Sequence, residues 1–186
     1  MKKFVLLFAI VALMLNVSMT TITAVNPTAG INWITIEQAQ EAMKKEPRKI
    51  IIDTYTEWCG WCKRMDATTF TNPDIVKYVN KKYYAVKFDA EQKTDITFNG
   101  KVYKHVGGEG RQGYHELAYA LMNGKMSYPT IVYLDENLNN LSPVAGFMKA
   151  SQIDMVLKYF GENHYKEGVK WEDFEKTYKS KVVDSK

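Results

Sequence analysis

The chain has 186 residues, with 25 basic and 21 acidic side chains and a formal net charge of +4 at pH 7. A chain of this length can bury a hydrophobic core without crosslinks, and one domain is the default. The nearly neutral balance gives no reason to expect nucleic acid or an anionic membrane surface as a partner. There is no internal repeat and no low-complexity tract.

The first 24 residues are predicted to be a signal peptide. Lys2 and Lys3 form a basic start, and an apolar run follows over residues 4–15. That run is short for a membrane span but matches the apolar core of a signal peptide. Cleavage after Ala24 would remove both lysines and no acid, so the mature chain, 25–186, would carry a charge of +2. We therefore expect a periplasmic or secreted protein without stable membrane insertion; an uncleaved membrane anchor is the alternative.

The first helix and the first long strand have clear signals. Thr35 suits an N-cap, Gln38 completes a capping box with it, and Pro47 breaks the helix after about residue 45. Three consecutive isoleucines at residues 50–52 are typical of a strand that is buried on both faces, as central parallel strands are.

The only two cysteines follow that strand as Cys59 and Cys62, with Gly60 and Trp61 between them. A helix predicted to run to about Met65 begins there, so unpaired N–H groups and the helix dipole favour a thiolate at the first cysteine. The second thiol lies one turn on, within reach of a disulfide. This arrangement predicts a redox pair, with Cys59 as nucleophile and Cys62 as the resolving thiol.

Two other roles for the cysteine pair are open. A structural disulfide over so short a loop stabilises by at most about 2 kcal/mol, against about 3 kcal/mol for a 15-residue loop. A structural zinc site needs four ligands, and the remaining candidates, His105, His115 and His164, are widely scattered. The sequence favours redox chemistry, for which neither a metal nor another cofactor is needed because the electrons reside in the cysteines.

The signals beyond the cysteines alternate between helix and strand. Asn72 and Pro73 suit the N-cap and first position of a helix that ends near residue 81, and residues 83–89 form the next predicted strand. A strand–helix–strand sequence implies a parallel pair with a right-handed crossover. The turn Asn99-Gly100 between two alternating runs, over residues 95–105, predicts a hairpin.

The remaining predicted elements complete one domain. They are, in order, a glycine loop (Gly107, Gly108, Gly110, Gly113), a helix over 114–122 ending at Gly124, antiparallel strands over 129–134 and 141–148, a helix over 151–160, and a short amphipathic helix over 171–178. We expect the last helix to dock on the domain; binding of a partner is its alternative.

The stretch Glu-Trp-Cys-Gly-Trp-Cys-Lys at residues 57–63 resembles the active site of the thioredoxin superfamily. Asp53, six residues before Cys59, falls where the family carries a buried acid, and Lys87 falls where it carries a strand lysine. Tyr128-Pro129-Thr130 is similar to the cis-proline loop of the family. Over residues 33–160 the chain resembles the exported branch that includes the C-terminal domain of DsbD.

The resemblance implies an α/β thioredoxin fold, a central mixed sheet flanked by helices. The chain departs from it at Trp61, where thioredoxin has proline, and by an insertion over about 91–125 that includes the hairpin. A C-terminal helical extension covers about 161–186. We expect the hairpin to lie beside the active site as a separable element that helps to capture protein partners.

The resemblance also implies roles for the site residues. Asp53, if buried behind the thiols, would accept a proton from Cys62 during resolution, with Lys87 as its charge partner. A cis Pro129 would leave the Tyr128 backbone free to pair with an extended substrate and would keep metal away from the thiols. The implied substrate-binding residues are Trp58, Gly60, Trp61, Tyr128 and Pro129. Three of the residues have an alternative role: Asp53 as an ordinary strand-end acid, Lys87 as a surface lysine and Trp58 as wall packing. Lys63 and Arg64 are read as part of a solvated helix face.

The sequence therefore predicts an exported thiol–disulfide oxidoreductase of protein disulfides. Neither Gly60 nor Trp61 is charged, and Asp53 adds negative charge behind the thiols, which favours a reductase or isomerase over an oxidase. In an oxidising compartment such a protein needs an electron donor, which we expect to be membrane-bound. The rival from another class is a thioredoxin-fold adaptor with a vestigial cysteine pair, whose hairpin and C-terminal extension hold a partner.

Overall fold

The computed structural model describes residues 30–107 and 113–185, so the predicted signal peptide and part of the glycine loop lie outside the described residues. Within those ranges, none of the helices combines the length and the apolar character that a membrane crossing requires.

Six helices and nine strands occur in the described residues. In chain order they are β1 Trp33–Ile34, α1 Ile36–Lys45, β2 Lys49–Tyr55, α2 Gly60–Thr68, α3 Pro73–Lys82, β3 Tyr83–Asp89, β4 Ile96–Phe98, β5 Lys101–Tyr103, β6 His105–Val106, β7 Tyr114–His115, α4 Glu116–Leu121, β8 Thr130–Leu134, β9 Asn140–Ala145, α5 Ala150–Gly161 and α6 Trp171–Thr177.

A five-stranded mixed sheet in the order β1-β3-β2-β8-β9 forms the centre of the fold. The isoleucine strand β2 pairs in parallel with β3 and antiparallel with β8, which confirms the central strand and the parallel crossover. Ile51 packs into a core cluster with residues of α3 and α5, whereas Ile50 and Ile52 pack with residues of α1 and α4 on the other face. The isoleucines need no alternation with polar residues because both faces of β2 are covered.

The predicted helix starts are confirmed by their hydrogen bonds. The Thr35 hydroxyl accepts the Gln38 N–H, and the Gln38 side chain accepts the Thr35 N–H, so the capping box opens α1. The Asn72 side chain accepts the N–H groups of the first turn of α3, where Pro73 stands at the first position. These caps satisfy N–H groups that the helices themselves leave unpaired.

The predicted hairpin is formed by β4 and β5. Asn99 and Gly100 have φ values of 48° and 77°, the left-handed conformations that a two-residue turn of this kind requires. Ile96 and Phe98 are buried in the core cluster that α1 shares, and the Gln40 side chain of α1 donates to the Thr97 carbonyl at 2.8 Å. This packing argues against the separable element expected from the sequence: the hairpin contributes to the core.

Two predicted boundaries are wrong for local reasons. The helix expected over 114–122 begins only at Glu116, because Tyr114 and His115 pair with β6 and the His115 N–H donates to the Ala90 carbonyl at 2.6 Å. The strand expected to reach residue 148 ends at Ala145, since Gly146 adopts a φ of 101° and turns the chain away.

The C-terminal extension packs on the domain, as predicted. Phe174 of α6 is buried in the core cluster beneath α5, and its ring lies 5.3 Å from that of Tyr159. Farther on, the Asp184 carboxylate accepts hydrogen bonds from the backbone and the hydroxyl of Ser151 in the first turn of α5. The apolar face of α6 is thus occupied by the domain itself, which disfavours its alternative role as a partner-binding helix.

Candidate active site

One end of the sheet gathers the candidate residues. The register aligns Thr54 of β2 with Thr130 at the start of β8, and Thr130 with Ala145 at the end of β9. The segments that continue from these three strands therefore meet: one leads to the cysteines, one comes from Tyr128-Pro129 and one leads to Phe147. The Pro129 carbonyl accepts the Gly146 N–H at 2.8 Å, which ties the last two segments together.

Cys59 and Cys62 form a disulfide, with an S–S distance of 2.05 Å and Cα atoms 5.3 Å apart. Cys59 is the N-cap of α2, and its Sγ accepts the Cys62 N–H at 3.1 Å. The predicted position of the first thiol at a helix N-terminus is confirmed. Both side chains are nearly buried, with exposed fractions of 4% for Cys59 and 2% for Cys62. A substrate sulfur must therefore reach the Cys59–Cys62 pair, and leave it again, past the residues that surround the two cysteines.

Asp53 is buried in β2, with 1% of its surface exposed. Burial raises its pKa from 3.8 to about 6, although the Lys87 ammonium opposes this shift. One carboxylate oxygen, Oδ2, lies 2.5 Å from the Lys87 Nζ, whereas Oδ1 is buried and has no hydrogen-bond partner among the described residues. A carboxyl with a pKa near 6 can take up and release a proton close to neutral pH, as acid–base catalysis requires.

Lys87 forms ion pairs with two carboxylates, those of Asp53 and Asp66, and the sequence predicted only the first. Lys87 stands opposite Asp53 in the β2–β3 register, which confirms it as the charge partner of Asp53. Burial lowers the pKa of Lys87, but the two carboxylates outweigh that effect and the net shift is upward. Asp66 was missed, although it lies four residues after Cys62 and so shares a helix face with the resolving cysteine.

Trp58 stands on the surface beside the disulfide. Its exposed fraction is 56%, its indole N–H donates to the Glu91 carboxylate at 2.9 Å, and its ring meets the Tyr128 ring edge-on at 5.8 Å. The exposure argues against wall packing as its role. Sequence reasoning missed Glu91, because nothing in its local pattern relates it to a residue 33 positions away.

Trp61 is equally exposed, at 56%, and packs against Phe147 with ring centroids 5.4 Å apart. The Arg64 guanidinium lies over both rings, 5.4 Å from the centroid of Trp61 and 5.7 Å from that of Phe147. Arg64 is thus more than part of a solvated helix face. Phe147 was missed, since only the pairing of β8 with β9 brings it to the cysteines.

The loop before β8 has the predicted cis peptide between Tyr128 and Pro129. Pro129 is buried and Tyr128 half-buried. Burial, with the Glu91 and Asp89 carboxylates, raises the pKa of Tyr128 to about 12. Gly60 is exposed, and apart from its chain neighbours and its own helix backbone, no described heavy atom lies within 4 Å of the position that a Cβ would take there. The surface next to Cys59 is therefore open.

Comparison with known proteins agrees with this geometry. The model of the thioredoxin-like domain family matches residues 36–161. Thiol:disulfide interchange protein DsbD of Pectobacterium atrosepticum is 26% identical over 143 residues, which is 74% of this chain and 21% of the relative. The chain thus spans only a minor part of that relative's length.

Two solved structures share the fold. A thioredoxin-fold protein from Helicobacter pylori superposes with a TM-score of 0.53 at 22% identity, over 70% of this chain and 79% of its own. A DsbH oxidoreductase superposes with a TM-score of 0.50 at 18% identity, over 80% of this chain and 91% of its own.

Proposed function

The chain belongs to the thioredoxin-like domain family, and from that premise we propose that it is an exported thiol–disulfide oxidoreductase that reduces or isomerises protein disulfides. One observation carries the proposal: the Cys59–Cys62 pair occupies the N-terminus of α2, at the same end of the sheet as an open, aromatic surface. The name of the relative, a thiol:disulfide interchange protein, supports the same chemistry.

The reaction follows from the two sulfurs. In the reduced chain, the Cys59 thiolate attacks a substrate disulfide, forms a mixed disulfide and releases one substrate thiolate, which takes up a proton. The Cys62 thiol then loses its proton, and its sulfur attacks Cys59. The mixed disulfide breaks, the second substrate thiolate leaves and is protonated, and the Cys59–Cys62 disulfide forms. Two electrons pass from the chain to the substrate.

We assign the proton of Cys62 to Asp53. Its Oδ1, which has no hydrogen-bond partner within the described ranges, and its pKa of about 6 suit it to accept that proton at neutral pH and to release it afterwards. Lys87 forms ion pairs with both Asp53 and Asp66. When Asp53 is protonated, the Asp66 carboxylate still balances part of the Lys87 charge. The Lys87 ammonium keeps the Asp53 pKa from rising further, and the negative charge of Asp66 weakens that effect, so Asp53 is not fixed in its charged form.

The oxidised chain has to be reduced again, which requires a donor of two electrons. In an oxidising compartment, soluble thiols are scarce, so we propose a membrane-bound protein as that donor. The substrates in this proposal are protein disulfides, and the dithiol itself is the only redox group that the cycle uses.

The rival function is an adaptor with a vestigial cysteine pair. In it, the hairpin and the C-terminal extension would hold a partner. Ile96, Phe98 and Phe174 instead bury these two segments against the domain, which favours the enzyme. Acceleration of insulin reduction above the rate with dithiothreitol alone separates the two functions, since an adaptor gives no acceleration.

The proposed roles of the cysteines are tested by trapping. In a Cys62→Ala variant the mixed disulfide cannot be resolved, so incubation with insulin is expected to give a covalent adduct that dithiothreitol releases. The Cys59→Ala/Cys62→Ala double variant is the matched control and should give no adduct. An equal yield from the two variants, or none from either, would refute the assignment of Cys59 as nucleophile. The assay is read on non-reducing gels with mass spectrometry of the linked peptides.

Export is tested on the full chain. We expect fractionation and N-terminal sequencing to recover the protein outside the cytoplasm with a terminus near Val25, because the basic start and the apolar run form a signal peptide. A Lys2→Glu/Lys3→Glu variant should be exported more slowly. Recovery of the wild-type chain in the cytosol with Met1 intact would contradict the proposal.

A further inference from the structure

Two aromatic pairs include the tryptophans next to the cysteines, and each pair contacts one charged group. Trp58, Tyr128 and Glu91 form what we call the acidic side, and Trp61, Phe147 and Arg64 form the basic side. Each tryptophan directly precedes one of the two cysteines, so both sides adjoin the reacting sulfurs.

The acidic side presents a fixed negative charge. The Trp58 indole N–H holds the Glu91 carboxylate at 2.9 Å, and Asp89 stands next to it, with one carboxylate oxygen accepting the Glu91 N–H at 3.0 Å. Both carboxylates act on the Tyr128 hydroxyl and help to raise its pKa. Among the described residues no lysine or arginine forms an ion pair with Glu91, so its charge is available to a ligand.

The basic side presents a fixed positive charge. The Arg64 guanidinium is exposed and lies over the rings of Trp61 and Phe147. A cation–π contact uses the charge of the guanidinium and none of its N–H donors, which stay available for hydrogen bonds. In the part of the chain that the structure describes, no carboxylate forms an ion pair with Arg64.

We propose that these two sides select the substrate, an extended segment with a basic residue on one side of its cysteine and an acidic residue on the other. Successive residues of an extended segment are about 3.3 Å apart, so residues close to the substrate cysteine reach both sides while its sulfur meets Cys59. The exposed faces of the tryptophans take apolar side chains of the same segment. This inference rests on the proposed function and names the substrate class of its site.

The test uses two blocked peptides of equal composition that differ in charge order. In each peptide a central cysteine forms a mixed disulfide with mercaptoethanol. The first peptide has lysine two residues before the cysteine and glutamate two residues after it. The second peptide has these two residues exchanged. The pre-reduced chain supplies the two electrons in a single turnover. We expect one order to react about three- to tenfold faster at low ionic strength, with the preference lost at 1 M salt, because the charges involved are exposed.

Exchange of the two protein charges must reverse the preference. The Arg64→Glu/Glu91→Lys double variant is compared by the ratio of its two peptide rates, since any change in thiol reactivity cancels in that ratio. Lys77→Glu, an exposed lysine of α3, is the control and should keep the wild-type ratio. Equal rates for both peptides, or a ratio that the double variant does not reverse, would overturn the inference. Failure of the wild-type chain to reduce the neutral hydroxyethyl disulfide would instead count against the proposed function itself.

Discussion

Replacing Asp53 with asparagine is expected to slow the resolution of mixed disulfides by on the order of 100-fold, the usual contribution of a general base. The same change should make the protein more stable at pH 7, by about 1 to 3 kcal/mol. The gain arises because burial of the carboxylate disfavours its charged form, and an uncharged amide of similar shape avoids that cost. A pKa shift of one unit corresponds to about 1.4 kcal/mol, and loss of the contact with Lys87 offsets part of the gain.

The sign of the pH dependence follows from the raised pKa of Asp53. Well below pH 3.8 the carboxyl is protonated in both the folded and the unfolded chain, so its burial carries no cost of ionisation. Between pH 4 and 6 the unfolded chain ionises first, so the wild-type protein loses stability as the pH rises. The stability difference between Asp53→Asn and the wild type should therefore be small at pH 4 and reach its full size near pH 7.

Denaturant unfolding at several pH values and stopped-flow resolution of a Cys59 mixed disulfide check both effects. The wild-type resolution rate should report a group with a pKa near 6 that the variant lacks. Asp66→Asn is the matched control. It removes the other carboxylate that pairs with Lys87, and the Asp66 side chain, unlike that of Asp53, is 41% exposed. It should slow resolution less than tenfold and bring no gain in stability. An Asp53→Asn variant with unchanged kinetics and lower stability would make Asp53 a structural acid.

Local chemistry made much of the fold predictable. The capping box of Thr35 and Gln38, the Asn72-Pro73 start of α3 and the Asn99-Gly100 turn each act within a few residues, and all three occur as expected. The isoleucine run indicated burial on both faces of one strand without specifying its neighbours. The local propensity of residues 114 and 115 favours a helix, whereas pairing with residues 105 and 106 and the hydrogen bond to residue 90 hold them in a strand.

The candidate site was predictable where a motif or a register defined it. The two cysteines follow from their spacing at the start of a helix, and Asp53, Lys87 and the loop at Pro129 follow from the resemblance; the observed β2–β3 register places Lys87 against Asp53. Glu91 and Phe147 could not be found in this way, because each reaches its tryptophan through a loop whose path no local pattern specifies. The contact of Arg64 with Trp61 lies within one turn of α2 and its spacing is visible in the sequence, whereas the contact with Phe147 arises only after β9 has placed Phe147 next to α2.

The dithiol of this chain is expected to be reducing rather than oxidising. A strong oxidant needs a stabilised thiolate in its reduced form. Here both cysteines are nearly buried, neither residue between them is charged, and Cys59 Sγ accepts one N–H, from Cys62. The Asp53 carboxylate adds negative charge at the same end of the sheet. Burial and nearby negative charge both disfavour a permanent thiolate.

The reduction potential of the Cys59–Cys62 pair tests this account most directly. It is obtained by equilibrating the mature chain in glutathione buffers of defined ratio, trapping free thiols with a maleimide and counting them by mass. We expect a potential between about −270 and −200 mV, the range from thioredoxin to the glutaredoxins. A value near −120 mV, as for DsbA, with Cys59 ionised well below neutral pH, would contradict the account, as would a disulfide that no glutathione ratio reduces.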